Sequence, residues 1–352
     1  MTKIKIGKKY VGDGMPFYSI AEIGSNFDNS LKKAFRLIDL AKKAGADAVK
    51  FQSFTADNLV NDDCFNKLKI GYQAKWKSSV YEVYKKAEFP KGFHQKVFNY
   101  CKKKNIEFFS APYDKESVDF LDKLGVKVFK IGSGDITWLE NIEYIAKKNK
   151  PIILATGASD MRHVENAIKT IKKTGNNQIV LMQCVTNYPA SFRNINLRVL
   201  ETFKKRFKCL VGYSDHTQGD IVALGTVAMG GCMIEKHFTD NNKLPGPDHS
   251  FAMDPRAFKL MTDKIKTMEM IIGNGKKKIY DEEIDQYVTM KRGVKSSEPL
   301  KKGQLLKKKH LKVLRPCLPD DIPADNIKSI IGKKLKVNLD ANKAIKKGMI
   351  LN

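Results

Sequence analysis

Side chains that can bind anions, transfer protons or ligate a metal recur along the first two thirds of the chain, each near the end of a short apolar run. Lys50 and Lys130 offer compact positive charges for phosphate and carboxylate groups, and the glycines that flank Ser133 let backbone N–H groups approach phosphate oxygens closely. This combination indicates a small ligand that carries several negative charges. The polar side chains in or just after these runs are Glu22, Lys50, Gln52, Ser110, Lys130, Ser133, Asp135, Thr156, Tyr188, Ser214, Asp215, His216, Glu235 and His237.

Two histidines add a second kind of chemistry. His216 and His237 stand at the ends of two consecutive apolar runs, so their imidazoles could share one divalent ion and leave positions for water and a substrate oxygen. Two histidines with oxygen ligands suit Mn²⁺ or a similar ion, which would act as a Lewis acid on a carbonyl group. A histidine pair can instead be an acid/base couple, and the residues alone leave both alternatives open.

The elements that must position these side chains follow a regular pattern. Up to about residue 240, apolar runs alternate with longer amphipathic runs such as 31–44 and 115–124, each stopped by a glycine, as in repeated strand-helix units. Eight repeats predict a closed α/β barrel of the (β/α)8 type, completed by a helix over 255–272. Residues 55–91 exceed an ordinary loop and are a candidate lid. The predicted strands span 18–23, 48–51, 107–110, 128–131, 152–155, 180–183, 210–213 and 233–238.

The barrel prediction makes the polar strand ends informative, because active sites of such barrels form at the carboxyl ends of the strands. A single lysine at a strand end is usually solvated or ion-paired, and a single histidine is more often a satisfied core group than a ligand. Here all eight predicted strands end in, or contain, such polar residues. A barrel without a site would need none of them, so the joint pattern favours an active site.

The chain changes character after residue 275, where a lysine run and an acidic patch are followed by short segments punctuated by glycine and proline. We therefore predict a barrel domain over 1–280, a linker over 281–291 and a small, mostly β domain over 292–352. A domain of this size buries little apolar surface in its own core. We therefore expect contacts with the barrel or with another subunit to stabilise it.

Composition narrows the classes of partner. The net charge of +26 would suit a polyanion, yet only eight of the 64 basic residues are arginine and the lysines are spread along the whole length. We therefore expect no nucleic-acid partner, although the positive field should help to attract a phosphorylated substrate. No run approaches the roughly 20 apolar residues of a membrane span and no secretory signal is visible, which predicts a cytoplasmic protein without a membrane partner.

Six segments, in their order and spacing, resemble the signature segments of the sialic acid synthases and their pseudaminic and legionaminic acid relatives. The tail is similar to the antifreeze-like (SAF) domain that those enzymes carry, and the resemblance covers nearly the whole chain. The segments are AEIG at 21–24, VKFQ at 49–52, KIGSGD at 130–135, GYSDH at 212–216, EKHFT at 235–239 and PGPDH at 245–249.

The resemblance implies a condensation of phosphoenolpyruvate with an N-acetylated hexosamine such as N-acetylmannosamine, which yields a nine-carbon 2-keto sugar acid and phosphate. It implies that Glu22 is an acid/base and that His216 and His237 hold a divalent metal, Mn²⁺ or alternatively Mg²⁺ or Co²⁺, which polarises the aldehyde. The residues that it assigns to phosphoenolpyruvate are Lys50, Ser110, Lys130, Ser133, Thr156 and Ser214. Those that it assigns to the sugar are Gln52, Tyr188, Asp248 and Arg315.

The resemblance also implies a domain-swapped homodimer in which the tail of one subunit closes the site of the other. The chain departs from the family pattern at 26–29, where NFDN replaces the frequent Asn-His-Asn-Gly, and at Ala155, where a serine is frequent. The first departure leaves the sugar open, so the alternative is a pseudaminic or legionaminic acid synthase that uses a diacetamido-trideoxyhexose.

Two hypotheses come from other classes. A nonenzymatic polyanion-binding protein would use the net charge, and an ice- or surface-binding tail could sit on a degenerate barrel. The joint presence of Glu22, Lys130, His216 and His237 argues against degeneracy, because an inactive barrel has no need to keep them together.

Overall fold

The computed structural model describes residues 2–68, 70–71 and 73–351, and of Lys75 only the backbone. The described chain divides into two compact units, one that ends at Gly273 and one that begins at Asn274. The residues that we expected to link two domains, 281–291, include a short helix, Ile284–Thr289, which belongs to the second unit.

The strands of the described part of the first unit are β1 Lys3–Ile6, β2 Lys9–Gly12, β3 Tyr18–Glu22, β4 Ala48–Ser53, β5 Glu107–Pro112, β6 Phe129–Ile131, β7 Ile152–Ala155, β8 Ile179–Cys184, β9 Leu210–Asp215 and β10 Met233–His237. Eight of these form one sheet in the order β5-β4-β3-β10-β9-β8-β7-β6. The two end strands, β5 and β6, also lie next to each other, so the sheet curls into a nearly closed (β/α)8 barrel. Each predicted strand overlaps an observed one, and the predicted barrel is confirmed.

Helices occupy the amphipathic stretches between the strands. The described helices are α1 Leu31–Lys43, α2 Ala56–Leu59, α3 Asp62–Lys67, α4 Val80–Ala87, α5 Lys91–Lys104, α6 Lys115–Leu124, α7 Leu139–Ala146, α8 Met161–Lys173, α9 Val199–Phe207, α10 Ile221–Ala228, α11 Pro255–Ile272 and α12 Ile284–Thr289. The Ser30 hydroxyl caps α1 by accepting a hydrogen bond from the Lys33 N–H, and Gly125 ends α6 with a φ of 94°. None of the helices in the described ranges is long and apolar enough to cross a membrane.

The barrel interior is apolar at its amino end and polar at its carboxyl end. Ile20, Ala48 and Met233 belong to a buried cluster that the β1–β2 hairpin joins through Ile4 and other apolar residues. Alternate residues of a strand share one face, so the inward position two residues after each of these three is a polar side chain at the cavity floor. Those polar side chains are Glu22, Lys50 and Glu235.

The candidate lid after β4 is built from the short helices α2, α3 and α4. Ser79 caps α4 in a reciprocal capping box with Glu82, which gives this segment a defined local structure. Positions 69 and 72 of the predicted lid lie outside the described residues.

The second unit contains a pair of short antiparallel strands, β11 Gly293–Ser296 and β12 Leu311–Leu314, and several isolated β-bridges. Its own apolar core is small and includes Val294, Leu306 and Leu335. The predicted mostly β character of this domain is confirmed.

Phe27, the residue that departs from the family segment, lies in the core between the sheet and the helices. Its ring makes edge contacts with Phe89, at a centroid distance of 5.2 Å, and with Phe51, at 6.2 Å. The side chain does not line the cavity described below. The departure therefore replaces a polar ring with an apolar one that is fully buried.

We predict that Phe27→Ala lowers the free energy of unfolding by about 3–5 kcal/mol, because it opens a cavity beside two aromatic rings. Urea unfolding monitored by circular dichroism measures this loss. Phe192→Ala makes the same truncation at a side chain that is 58% exposed, and should change stability by no more than about 0.5 kcal/mol. Equal losses in the two variants would contradict the packing role of Phe27.

Candidate active site

A cavity of about 500 Å³ opens at the carboxyl ends of the barrel strands. Its wall draws side chains from most of these strands and from the candidate lid. The structure brings together ten of the predicted residues there, namely Glu22, Lys50, Gln52, Lys130, Ser133, Tyr188, Ser214, His216, His237 and Asp248.

The floor of the cavity is a group of four buried charges. Lys130 Nζ lies 2.8 Å from both carboxylate oxygens of Glu235, across the barrel, because their strands β6 and β10 stand opposite each other in the sheet order. Lys50 Nζ lies 2.8 Å from Glu22 Oε2 and 3.7 Å from Glu235 Oε1. The Ser214 hydroxyl donates to Glu235 Oε1 at 3.3 Å. We call Glu22, Lys50, Lys130 and Glu235 the charge quartet.

The two glutamates of the quartet have opposite pKa shifts. Burial raises the pKa of Glu22, and Lys50 offsets only part of that shift. Burial alone would also raise the pKa of Glu235, but the ammonium groups of Lys130 and Lys50 lower it to about 2. Carboxylates whose environments drive their pKa values apart can take different roles. Glu22 is therefore the member that can carry and release a proton, whereas Glu235 stays an anion.

The histidine pair stands beside the quartet, with ring centroids of His216 and His237 5.5 Å apart. The Tyr188 ring packs against His216 at a centroid distance of 4.1 Å. His216 Nδ1 lies 2.9 Å from the Val185 carbonyl oxygen, which can only accept, so Nδ1 carries a hydrogen and, in the neutral ring, the lone pair is on Nε2. His237 Nδ1 lies 4.0 Å from Asp248 Oδ2.

The histidine pair fits a divalent metal ion. Burial lowers the pKa of His237 to about 4, so this ring is neutral near pH 7, and its buried Nδ1 has no hydrogen-bond partner in the described chain. A neutral imidazole with an unsatisfied nitrogen is a suitable ligand. No group of three or more His, Cys, Asp or Glu side chains suited to an ion occurs among the residues described. The protein would thus supply the two imidazoles and leave other positions to water or substrate.

The wall next to Lys130 contains the loop that follows β6 and the turn that follows β7. The Gly157 N–H donates to Ser133 Oγ at 2.9 Å, and a Cβ at Gly157 would lie only 2.0 Å from Thr186 Oγ1. Only glycine fits at this position. Burial raises the pKa of Asp135 to about 6 in the same wall, and Ala155, the second departure noted in the sequence, also lines it.

Two predicted residues of the barrel lie outside the cavity wall. Ser110 and Thr156 are one position away from the inward-facing Phe109 and Ala155, so their side chains face away from the cavity. The Ser110 hydroxyl pairs with that of Ser53 at 2.8 Å, and the Thr156 hydroxyl donates to a backbone carbonyl at 2.9 Å. The structure therefore does not bring these two side chains into the cavity wall. Arg315 belongs to the second unit.

The cavity also contains residues that we did not assign from the sequence. Glu235 was noted only as a polar strand residue, although it holds both lysines of the floor. Cys184 and Tyr113 also line the wall, and counting in steps of two from the inward-facing Met182 and Phe109 would have found them. The lid residues Phe54, Trp76 and Tyr84 carry no such periodic signal, because they lie in irregular chain and short helices.

Fold and site together define a (β/α)8 barrel with a floor of paired, buried charges beside a histidine pair. The description "NeuB family" matches residues 37–277, and the description "SAF domain" matches residues 291–351. The chain belongs to the NeuB family and carries a SAF domain, and the predicted family is confirmed.

Relatives with assigned names agree with this placement. The chain is 39% identical over 339 residues to the N,N'-diacetyllegionaminic acid synthase of Legionella pneumophila, covering 95% of each chain. It is 37% identical to the enzyme of that name from Campylobacter jejuni, covering 93% of this chain and 98% of the other. A solved N-acetylneuraminic acid (sialic acid) synthetase from Leptospira borgpetersenii matches 81% of this chain and 95% of its own at a TM-score of 0.72 and 30% identity.

His94 supports the wall from behind and makes the fold sensitive to acid. Its Nε2 lies 2.8 Å from the Ser53 hydroxyl and its Nδ1 lies 3.2 Å from the Pro90 carbonyl oxygen. Burial lowers the pKa of His94 from an ordinary 6.5 to about 4. Between these two pH values His94 is protonated in the unfolded chain but neutral in the folded chain. The stability that neutral His94 contributes is therefore lost as pH falls.

We predict that the free energy of unfolding decreases between pH 6.5 and pH 4 with a slope that His94→Gln reduces by up to about 1.4 kcal/mol per pH unit. Urea unfolding of wild type and variant at a series of pH values gives both slopes. The comparison concerns the slope alone, so a general loss of stability in the variant does not obscure it. Parallel slopes would show that His94 does not titrate in this way.

Proposed function

We propose that this enzyme condenses phosphoenolpyruvate with the open-chain aldehyde of an N-acetylated amino sugar, forming a nine-carbon 2-keto sugar acid and releasing phosphate. The observation that carries the proposal is a pair of buried lysines, Lys50 and Lys130, on the floor of a cavity whose wall also holds His216 and His237. Buried ammonium groups suit the phosphate and carboxylate of one reactant, and the histidine pair suits activation of the carbonyl of the other.

The charge quartet is suited to exchange one anion for another. With both glutamates ionised, its two positive and two negative charges balance, so the lysines are held without a ligand. Phosphoenolpyruvate would compete with Glu235 for Lys130 and Lys50, and the added negative charge would favour protonation of Glu22, whose pKa is already raised by burial. Glu22 is thereby a proton donor or acceptor for the water that adds at C2 of phosphoenolpyruvate or for the new hydroxyl group.

A divalent metal, Mn²⁺ by preference, would be held by His216 and His237. When bound, it supplies Lewis-acid polarisation of the aldehyde carbonyl. Tyr188 packs against His216, and the Val185 carbonyl fixes the ring orientation that leaves Nε2 available. These contacts orient the His216 ring.

The sugar would lie against Gln52, Tyr188 and Asp248. Gln52 donates to Glu22 Oε1 at 2.7 Å, which places an amide between the proton-carrying group and the sugar side of the cavity. Identities of 39% and 37% to two diacetyllegionaminic acid synthases support a hexose with two acetamido groups over N-acetylmannosamine. Homodimer formation, a role for Arg315 and a cytoplasmic location rest on the sequence alone and stay predictions.

Phosphate release from phosphoenolpyruvate tests the proposed function. Purified protein with Mn²⁺ is given a 2,4-diacetamido hexose of the legionaminic type, one of the pseudaminic type, or N-acetylmannosamine, each with and without EDTA. We expect release that depends on the first sugar and is lost with EDTA. Release with N-acetylmannosamine alone would reassign the sugar, and no release with any of them would contradict the function.

We predict that Lys130→Ala raises KM for phosphoenolpyruvate by roughly 10- to 100-fold, because a buried charged hydrogen-bond partner of the anion is lost. KM for the sugar should change much less. Lys236→Ala is a matched control, since Lys236 is also buried and ion-paired, with Asp215 at 2.7 Å, but lies outside the cavity wall. The control should lower stability without changing the ratio of the two KM values. Equal increases in both KM values for Lys130→Ala would refute its role.

We predict that His216→Ala and His237→Ala each abolish metal-dependent turnover and Mn²⁺ binding while the fold is retained. Calorimetric titration with Mn²⁺ measures binding without relying on activity, and circular dichroism checks the fold. Turnover that survives in both variants at saturating Mn²⁺ would rule out the metal assignment.

A further inference from the structure

Two loops border one side of the cavity. Two consecutive residues of one loop, Asp248 and His249, make polar contacts with the other loop. The loops follow the adjacent strands β3 and β10 and span residues 23–30 and 238–254. Asp248 Oδ2 accepts hydrogen bonds from the Ser25 hydroxyl at 2.8 Å and from the Ser25 N–H at 3.4 Å. The next residue, His249, contacts Asp28 Oδ1 through Nε2 at 3.0 Å. Asp248 lines the cavity, whereas His249 points away from it.

His249 is held on both sides of its ring. The side chain is only 1% exposed, and its Nδ1 lies 2.7 Å from the Thr239 hydroxyl. The ionised carboxylate of Asp28 can only accept a hydrogen bond, so His249 Nε2 donates to it; the Thr239 hydroxyl also contacts the Asn241 carbonyl oxygen, at 3.2 Å. The ring therefore has one orientation that satisfies both partners.

The loop that carries Asp248 lies directly on this ring. A Cβ at Gly246, whose φ is 152°, would come within 2.7 Å of the His249 ring, so no larger residue fits between them. Asp28 has a φ of 49° and also pairs with Lys33 in the first turn of α1. The contact thus joins the sugar-side loop to a helix that packs against the barrel.

We propose that the Asp28–His249 pair is a positioning device that holds the Asp248 carboxylate at the depth where it meets the hydroxyl groups of the sugar. Asp28 and His249 do not line the cavity that holds the charge quartet and act through Asp248. This inference rests on the proposed function in assigning the sugar to Asp248. It adds a determinant of sugar affinity that lies outside the cavity wall, in the segment where the chain departs from its family pattern.

Two substitutions at one position test the pair. Asp28→Gly removes the acceptor, and glycine adopts the left-handed φ of 49° without strain. Asp28→Asn keeps an acceptor oxygen in a residue type that also tolerates this φ. We expect Asp28→Gly to raise KM for the sugar by about tenfold, with KM for phosphoenolpyruvate changed less than about twofold. Asp28→Asn should restore KM for the sugar to near the wild-type value.

Lys33→Met is the control, because it removes the ion pairs of Lys33 with Asp28 and, at 3.5 Å, with Asp240 of the loop that carries Asp248, and leaves the contact between Asp28 and His249 intact. It should keep the wild-type KM for the sugar. If Asp28→Gly leaves KM for the sugar unchanged, or raises both KM values equally, the positioning role is overturned.

Hydrogen exchange separates this inference from the proposed function. Backbone amides of residues 241–250 should exchange faster in Asp28→Gly than in wild type, and at the wild-type rate in Asp28→Asn and Lys33→Met. Absence of the difference would overturn the pair as a positioning device, whatever the enzyme's substrate. If wild type releases no phosphate while the exchange difference is present, the proposed function fails and the structural role of the pair stands.

Discussion

The site depends on four buried charges that neutralise one another inside the barrel. Lys130 and Glu235 face each other across the barrel, and Lys50 and Glu22 pair on neighbouring strands. Removing one partner of a buried ion pair leaves an uncompensated charge, which typically costs about 3–5 kcal/mol. Under the proposed function, an incoming anion would replace Glu235 at both lysines, so the contacts that balance the charges in the free protein would also prepare the place for a reactant.

The strands explain why this group is where it is. The barrel interior has an apolar cluster at its amino end and the charged cavity floor above it. Successive inward positions of the same strands supply the two layers, for example Ile20 and then Glu22. A register shift of one residue would turn the charges into the outer core and the outer phenylalanines into the barrel. One pattern therefore specifies both fold and site, because the alternation of inward and outward side chains that forms the barrel also points the charged side chains into the cavity.

The sequence was sufficient to predict the barrel, its eight strands and nine of the side chains in the cavity wall, because strand ends and step-two alternation are local signals, whereas Asp248 was assigned only through the family resemblance. Ser110 and Thr156 show the limit of strand ends alone, since a residue next to an inward position faces the other way. The role of Glu235 depends on a partner 105 positions away, and the tie between Asp28 and His249 spans 221 positions. Closure of the barrel brings such distant residues together, and no short sequence pattern indicates these contacts.

A crystal structure with phosphoenolpyruvate bound, in the absence of the sugar, tests the central claim most directly. The exchange of anions predicts phosphate or carboxylate oxygens within hydrogen-bond distance of both Lys50 Nζ and Lys130 Nζ, and a longer separation between Lys130 and Glu235 than the present 2.8 Å. Phosphoenolpyruvate bound elsewhere, with both lysines still held by Glu22 and Glu235, would contradict it.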